Sequence, residues 1–183
     1  MSTRETIIQL GDQLIRSKGF NAFSFYDISE KMKIKNASVH YHFPTKTDLG
    51  ISILEAHRQK LHSLIESTST KGPIDKLNSF LLIYTTIKSE GHVCLVGSLA
   101  TDLNTVDLKI ANELKTFADE ILNWVTTILD EGKTSGVFSF QCSPRTKALM
   151  VITNMLAALQ LSRLTNEEDF YTIRNEVIKG LKD

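Results

Sequence analysis

The chain has 183 residues, of which 42% are hydrophobic, and equal numbers of basic and acidic residues leave it with no formal net charge. This composition excludes a disordered or fibrous chain and indicates one or two globular domains. No targeting peptide is recognisable at the N-terminus, and no apolar run reaches the roughly 20 residues of a membrane span. We therefore expect a cytoplasmic protein.

The zero net charge conceals a difference along the chain. Residues 1–62 contain nine Lys or Arg and six Asp or Glu, a net charge of +3, together with four of the five histidines. The remaining residues carry a net charge of −3. A basic N-terminal part suits contact with phosphates, and the difference supports that role without establishing it.

Capping signals dominate the first third of the chain. Ser2, Ser24 and Thr45 are each followed three residues later by an acidic residue, which is the pattern of a capping box at the start of a helix. Pro44 is expected to end the helix before it, because proline disfavours helical geometry in the preceding residue. Together with the apolar periodicity, these signals predict helices at about 3–18, 24–33, 36–43 and 45–67.

The rest of the chain also has helical periodicity. A polar Gly-Pro segment at 67–73 is the best candidate for a linker, and Gly136–Gln141 is the only strand-like run, which we interpret as a connector. Thr165, with Glu168, is the predicted cap of the last helix. Five further helices are predicted, at about 73–89, 94–101, 105–132, 143–164 and 165–182. The fold class is therefore all-α, with about nine helices.

One predicted helix, 143–164, is apolar on nearly every side. Such a helix must be buried all round, which a chain this small achieves only in part. It is either a central core helix or part of an interface. We favour a homodimer formed through helices at about 143–164 and 167–182.

The segment Asp27–Leu49, DISEKMKIKNASVHYHFPTKTDL, carries the strongest functional signal. Two short helices joined by a tight corner at 34–36 form a helix-turn-helix, which places its second helix in a DNA groove. In that helix Val39 and Phe43 are expected to point inward, so that the polar residues between them face outward. The alternative is a helical corner with solvated polar residues and no DNA.

This segment resembles the tetracycline-repressor (TetR) family of bacterial transcription regulators. The resemblance covers residues 3–63 closely and includes the specific ending His-Phe-Pro-x-Lys-x-x-Leu at 42–49; beyond about residue 65 it concerns only the number and length of helices. The family usually has a tyrosine where this chain has His40, so that either His40 or Tyr41 makes the phosphate contact. The resemblance implies these DNA-binding residues: Ser24, Lys35, Asn36, Ala37, Ser38, His40, Tyr41, His42 and Lys46.

The family also implies two domains with different functions. Residues 1–66 would be a three-helix DNA-binding head, with its helix-turn-helix at about 26–45, and residues 67–183 a larger effector-binding and dimerisation domain. A homodimer would repress transcription from a palindromic operator until a small apolar or electrophilic effector releases it. Residues that could line the effector pocket, although each also suits a plain core, are Leu61, Phe80, Tyr84, Phe117, Ile121, Trp124 and Met155.

Cys94 suggests an alternative kind of regulation. It follows a helix break, with His92 two residues away, and nearby basic groups can make a thiol reactive. A glycine-cysteine-leucine element at this place resembles one subgroup of the family, some of whose members sense electrophiles or oxidants. Here His92 and Val93 separate the glycine from Cys94, and a buried, inert cysteine is the competing interpretation.

Other classes of protein find little support in the sequence. There is no Gly-rich phosphate loop, no G-x-S-x-G and no His-Glu-x-x-His, so we expect neither an enzyme nor a cofactor or metal. A basic amphipathic helix that would bind a membrane surface is also lacking. A helical adaptor without DNA binding stays open, and retention on heparin that is lost with salt would distinguish a DNA-binding protein from it.

Overall fold

The structure, a computed structural model, describes residues 2–182. Within this range the chain forms nine α-helices and no β-strand, which confirms the predicted all-α class. The helices are α1 (Thr3–Lys18), α2 (Phe25–Met32), α3 (Asn36–His42), α4 (Lys46–Thr68), α5 (Pro73–Ser89), α6 (Leu95–Thr101), α7 (Leu108–Thr134), α8 (Pro144–Leu161) and α9 (Glu167–Lys179).

Capping boxes start α1 and α4 as the sequence predicted. The Ser2 amide donates to Glu5 Oε2 at 2.7 Å, and the Glu5 amide donates back to Ser2 Oγ at 3.3 Å. At α4 the Thr45 amide donates to Asp48 Oδ2 at 2.9 Å, and the Asp48 amide donates to Thr45 Oγ1 at 3.1 Å. Each box satisfies backbone donors that the first turn of a helix leaves free.

The predicted cap of the last helix was wrong by one residue. Asn166, not Thr165, precedes α9, and its side-chain oxygen accepts from the Glu168 amide at 2.8 Å. The Thr165 hydroxyl instead donates to the Leu161 carbonyl at 3.1 Å, at the end of α8. Asparagine is among the best N-cap residues, because its short side chain reaches the amide two residues ahead.

The long helix α7 begins three residues later than predicted. The Thr105 amide donates to the Asp102 carbonyl at 2.8 Å, so that the chain makes a turn there rather than a helix. The Asp107 carboxylate then accepts from the second amide of α7 at 2.8 Å. The side chain of Asp107 therefore caps the helix and fixes its start at Leu108.

The described residues form two compact units. The first contains residues up to Lys60 together with Leu95–Phe117, and the second contains Leu61–Cys94 together with the residues from Ala118 onward. These units describe packing. The predicted assignment of DNA binding to residues 1–66 and effector binding to residues 67–183 concerns function and stays a prediction.

In the first unit, α1 approaches α4 closely at a glycine. A methyl group on Gly11 would lie 3.0 Å from Ile53 Cδ1 and 3.1 Å from Leu49 Cδ2, so the small residue lets the two helices meet. The pair α2 and α3 packs beside them, and α6 packs on α1. Buried apolar side chains of this unit include Ile7, Leu14, Ile15, Ile28, Val39, Phe43, Leu49, Ile53 and Leu54.

In the second unit, α8 packs along α9 and also contacts α5. Phe80 lies between two other rings, with centroids 5.4 Å from Tyr84 and 6.0 Å from Trp124, both in edge-to-face geometry. Such aromatic pairs add to the stabilisation that burial gives. No helix in residues 2–182 combines the length and apolar character needed to span a membrane.

Candidate nucleic-acid interface

The corner between α2 and α3 is fixed by backbone hydrogen bonds. Lys33 follows the last residue of α2 and adopts a left-handed conformation, with φ of 55°. The Ile34 amide donates to the Ser29 carbonyl at 3.0 Å, which closes the end of α2 as in a Schellman motif. The chain then turns sharply into α3, the geometry that a helix-turn-helix needs.

The third helix has one buried and one exposed face. Val39 is fully buried and Phe43 nearly so, which anchors α3 to the head. On the other side Lys35, Asn36 and Ala37 are exposed. Tyr41 is 84% exposed, an unusual position for a large aromatic residue. This face matches the pattern expected of a helix that enters the major groove.

Ser38 and His42 lie half-buried beside this exposed face. They line a shallow open groove that also includes the beginning of α1, through Thr3. The rings of Tyr41 and His42 meet edge to face with their centroids 5.3 Å apart. The groove therefore presents hydroxyl, imidazole and phenol groups together, all of which can bond to bases or phosphates.

His40 differs from its neighbours, because it is tied to the rest of the head. Its ring centroid lies 4.8 Å from that of Phe25, and its Nδ1 lies 3.4 Å from the Pro44 carbonyl. Tyr41, by contrast, extends into open space. Of the two candidates for the phosphate contact, Tyr41 is the one whose side chain is presented to solvent without such anchors.

Ser24 stands at the start of α2. Its amide and its hydroxyl both donate to Asp27 Oδ2 at 2.8 Å, so the hydroxyl hydrogen is already used. These bonds from Ser24, together with Lys18 at 3.3 Å from Oδ1, lower the pKa of the Asp27 carboxyl to about 2. Asp27 is thus held as a carboxylate that fixes the loop before α2.

Lys46, the predicted phosphate contact, is turned inward. Its ammonium donates to the Phe23 carbonyl and lies 4.2 Å from the centroid of the Phe23 ring and 4.8 Å from that of Phe20. Burial lowers the pKa of this ammonium, an effect that the carboxylates of Asp102 and Asp27 oppose. In this arrangement Lys46 joins the first turn of α4 to the loop before α2, and its contact with DNA stays a prediction.

Two further exposed lysines flank the corner. Lys31 lies in the last turn of α2, Lys33 directly after α2 and Lys35 directly before α3, and all three are exposed. Sequence reasoning selected Lys35 alone, because the resemblance supplied no role for the other two. Their alternate spacing was visible in the sequence and could have indicated a basic strip around the corner.

The candidate effector residues are buried, apart from half-buried Ile121. Phe117 belongs to the first unit, where its ring lies 6.2 Å from that of His57, whereas the other candidates belong to the second. Phe80, Tyr84 and Trp124 are brought together as the aromatic group described above. Their role in binding an effector stays a prediction.

Cys94 is half-buried in the second unit, close enough to Tyr84 to influence it. Burial, and to a lesser extent Cys94, raises the pKa of the Tyr84 hydroxyl well above its usual value. Between residues 2 and 182, no group of three or more His, Cys, Asp or Glu side chains is arranged to hold a metal ion. The reactivity of Cys94 stays a prediction.

The helical fold and the exposed face of α3 define a helix-turn-helix DNA-binding protein. Residues 7–52 match the model of the family described as bacterial regulatory proteins, tetR family. The structure is similar to that of a TetR transcriptional regulator from Legionella pneumophila, with 31% sequence identity, a TM-score of 0.87, and coverage of 100% of this chain and 98% of that one. The chain belongs to the TetR family of transcription regulators.

Other relatives agree with this assignment. A TetR-family transcriptional regulator from Agrobacterium tumefaciens has the same fold, with a TM-score of 0.91 at 23% identity over 98% of this chain and 97% of that one. The transcriptional repressor DhaR of Mycobacterium sp. (strain GP1) is 22% identical over 160 residues, which are 85% of this chain and 80% of that protein. The chain is thus a DNA-binding transcription regulator rather than an enzyme, as the sequence predicted.

Proposed function

We propose that the chain acts as a homodimeric repressor that binds a palindromic operator in the cytoplasm and leaves it when a small effector binds residues 67–183. The observation that carries this proposal is the exposed polar face of α3 over a fully buried Val39. A related protein, DhaR, is named a transcriptional repressor. Repression is therefore the direction of regulation that we assign to this chain.

We infer a dimer because a single DNA-binding head has few residues that can contact bases. Each good base contact discriminates by about 1–3 kcal/mol, so the seven residues of α3 are too few to select one site in a genome. Two heads on a palindromic site double the number of contacts. The groove between α8 and α9, lined by Met150, Ile173 and Val177 among others, supports a partner at that place.

The effector that we propose is small and largely apolar. The aromatic group of Phe80, Tyr84 and Trp124 supplies apolar rings, and the Tyr84 hydroxyl is neutral, with a pKa that burial raises still further. A neutral hydroxyl can orient a ligand without demanding a charge on it. An electrophile that reacts with Cys94 is the second candidate, favoured by the position of Cys94 close enough to Tyr84 to influence the pKa of its hydroxyl.

DNA binding is tested with a duplex of about 30 base pairs selected from a random library by the wild-type protein, since two half-sites a helical turn apart fit within it. Lys35→Ala should weaken binding to this duplex and to a scrambled one alike, and lower the slope of log affinity against log salt by about one per head. Asn36→Ala should weaken binding to the selected duplex only, because a base contact carries the sequence information. Fluorescence anisotropy over a range of salt concentrations measures both.

The matched control is Lys60→Ala, which removes the same charge from an exposed position on α4. It should leave the salt slope within error of the wild type. Equal effects of Lys60→Ala and Lys35→Ala would mean that the head attracts DNA by its general charge, and would remove α3 from the interface. Failure of the wild type to select any duplex would overturn the proposed function itself.

A further inference from the structure

The turn between α6 and α7 bonds to the loop between α1 and α2 through one carboxylate. Asp102 Oδ2 accepts from the Phe20 amide at 2.9 Å, and Asp102 Oδ1 accepts from Asn21 Nδ2 at 3.0 Å. The same Nδ2 donates to Thr105 Oγ1 at 2.7 Å. Residues more than 80 positions apart in sequence are thereby joined by three hydrogen bonds within the first unit.

The loop that Asp102 holds is the one from which the helix-turn-helix starts. Gly19 ends α1 with φ of +92°, a conformation that favours glycine, and a methyl group on it would lie 3.5 Å from Asp102 Oδ2. Phe20 and Phe23 follow, and their rings meet edge to face with their centroids 6.0 Å apart. Lys46 from α4 donates to the Phe23 carbonyl. Any shift of this loop therefore shifts the start of α2 and the first turn of α4.

Two other contacts hold the same segment against the head. The Ser98 hydroxyl of α6 donates to the Ile15 carbonyl of α1 at 2.8 Å in a buried position. On α4, a methyl group at Gly50 would lie 2.9 Å from Ile110 Cδ1 of α7 and 3.0 Å from Phe20 Cε2. The chain from α6 to the start of α7 thus packs on α1, α4 and the α1–α2 loop at once.

We propose that Asp102 is a positioning residue for DNA reading: its carboxylate fixes the α1–α2 loop and thereby the orientation of α2, α3 and the first turn of α4. The proposal deepens the DNA-binding function and rests on it. It also extends the DNA-reading part of the chain beyond residues 1–66, to the turn that contains Asp102 and Thr105. Asp102 itself is an acid and would repel phosphates, so its effect on DNA binding is exerted through the loop.

The physical reason is the precision that base reading requires. Groups that recognise a ligand must be held within about 0.5 Å and 10–20° of their productive geometry. Contacts to phosphates of a random sequence tolerate more, because they depend mainly on charge. Loss of the Asp102 bonds should therefore reduce discrimination between operator and random DNA and leave general attraction to DNA intact.

The experiment compares affinities for the selected duplex and its scrambled counterpart. Asp102→Ala should lower the ratio of the two affinities roughly tenfold, the equivalent of one lost base contact. Asp102→Asn should give an intermediate ratio, because its side-chain oxygen can still accept from the Phe20 amide. The salt slope should stay as in the wild type in both variants, since no phosphate contact is removed.

The control for charge is Asp107→Ala. Asp107 lies five residues further along, and its carboxylate accepts from the Lys109 amide of its own helix. This variant loses the same negative charge and should keep the wild-type ratio. Hydrogen exchange of the Phe20 amide gives a direct readout of the bond: it should quicken in Asp102→Ala and stay slow in Asp107→Ala.

Three results would overturn the proposal: an unchanged ratio in Asp102→Ala, an equal fall in Asp102→Asn and Asp102→Ala, or a fall in Asp107→Ala as large as in Asp102→Ala. The second would mean that charge matters rather than the hydrogen bonds. Should Asp102→Ala not fold, Asn21→Ala decides instead, because it removes two of the bonds and leaves Asp102 bonded to Phe20. For the proposal to stand, Asn21→Ala must lower the ratio of the affinities for the selected and scrambled duplexes measurably, but by less than tenfold.

Discussion

At the scale of single residues, the corner of the helix-turn-helix places a lysine where glycine is favoured. Lys33 has φ of 55°, and no other non-glycine residue between 2 and 182 has a positive φ. In this conformation Cβ crowds the following carbonyl, at a cost of roughly 1–2 kcal/mol. The corner is therefore held by its hydrogen bonds and by the packing of α2 and α3 against the preference of its own side chain.

Lys33→Gly should stabilise the protein by about 0.5–1 kcal/mol, because glycine adopts this conformation without the steric cost and loses only part of that gain through its more flexible unfolded state. Urea denaturation at one fixed protein concentration measures the change in the free energy of unfolding. The matched control is Lys31→Gly, the same substitution two residues earlier, at an exposed position within α2.

Lys31→Gly should destabilise by about 0.5–1 kcal/mol, since glycine inside a helix adds flexibility to the unfolded chain without relieving any strain. Opposite signs for the two variants identify the conformation of Lys33 as the cause. Destabilisation by both would show that the lysine at 33 makes a favourable contact that outweighs its conformational cost.

The residue pattern predicted the faces of α3 but not the direction of Lys46. Val39 and Phe43 are the apolar residues one helical turn apart, so periodicity alone placed them inside. The side chain of Lys46 has four rotatable bonds, and whether it extends outward or folds over Phe20 and Phe23 depends on a loop distant from it in sequence. Likewise the bonds of Asp102 to Phe20 and Asn21 link two regions that no local pattern connects.

At the scale of helices, the end of α7 depends on a glycine within it. A methyl group on Gly132 would lie 1.9 Å from Cδ2 of Phe138, and the Gly132 carbonyl accepts from the Phe138 amide at 2.9 Å. The buried Phe138 ring therefore rests directly on the backbone of α7. This packing explains why α7 tolerates a glycine two residues before its last one.

Gly132→Ala should destabilise the protein by about 1–3 kcal/mol, because the methyl group displaces the Phe138 ring from its site. The expected sign opposes the helix propensity of alanine, which would by itself favour the substitution by about 1 kcal/mol. Urea denaturation measures the net change. A stabilised variant would mean that Phe138 moves away at no cost.

The companion variant for this test is Phe138→Leu. A smaller side chain leaves room for the methyl group, so Gly132→Ala should cost less in the Phe138→Leu background than alone. A double-mutant cycle gives the coupling energy between the two positions. Purely additive effects would show that the ring and the glycine do not act on each other.

Helices were the most predictable part of the structure, and their ends were less so. The capping boxes at Ser2 and Thr45 are local patterns, and the structure contains both. The late start of α7 and the cap at Asn166 were missed, because competing capping residues lie one or two positions apart in both places. Which of them is used depends on the turn before the helix, whose course is set by tertiary contacts such as those of Asp102.

At the scale of the whole molecule, the apolar character of the predicted helix 143–164 led us to expect a homodimer. The structure shows which apolar side chains of this helix, α8, are exposed. The core side of α8 is buried, with Ala148 and Met155 fully so. Its other side leaves Leu149, Met150 and Leu161 roughly half exposed. Exposed apolar side chains gathered on one helix of a small protein indicate an interaction surface.

Met150→Glu should convert the proposed dimer to monomers. Met150 is 49% exposed and lines the groove between α8 and α9 together with Glu176, so the new carboxylate would be buried beside an existing one at a two-fold interface. An unpaired charge at such a place costs several kcal/mol, which raises the dimer dissociation constant at least about a hundredfold.

The control is Leu82→Glu on α5, where Leu82 is 58% exposed. It introduces the same charge outside α8 and α9 and should leave the dimer intact. Sedimentation analysis measures both, and the monomer should bind the selected duplex with about half the wild-type salt slope, because only one head then meets phosphates. A dimeric Met150→Glu, or a wild type that is itself monomeric at micromolar concentration, would contradict the proposed interface.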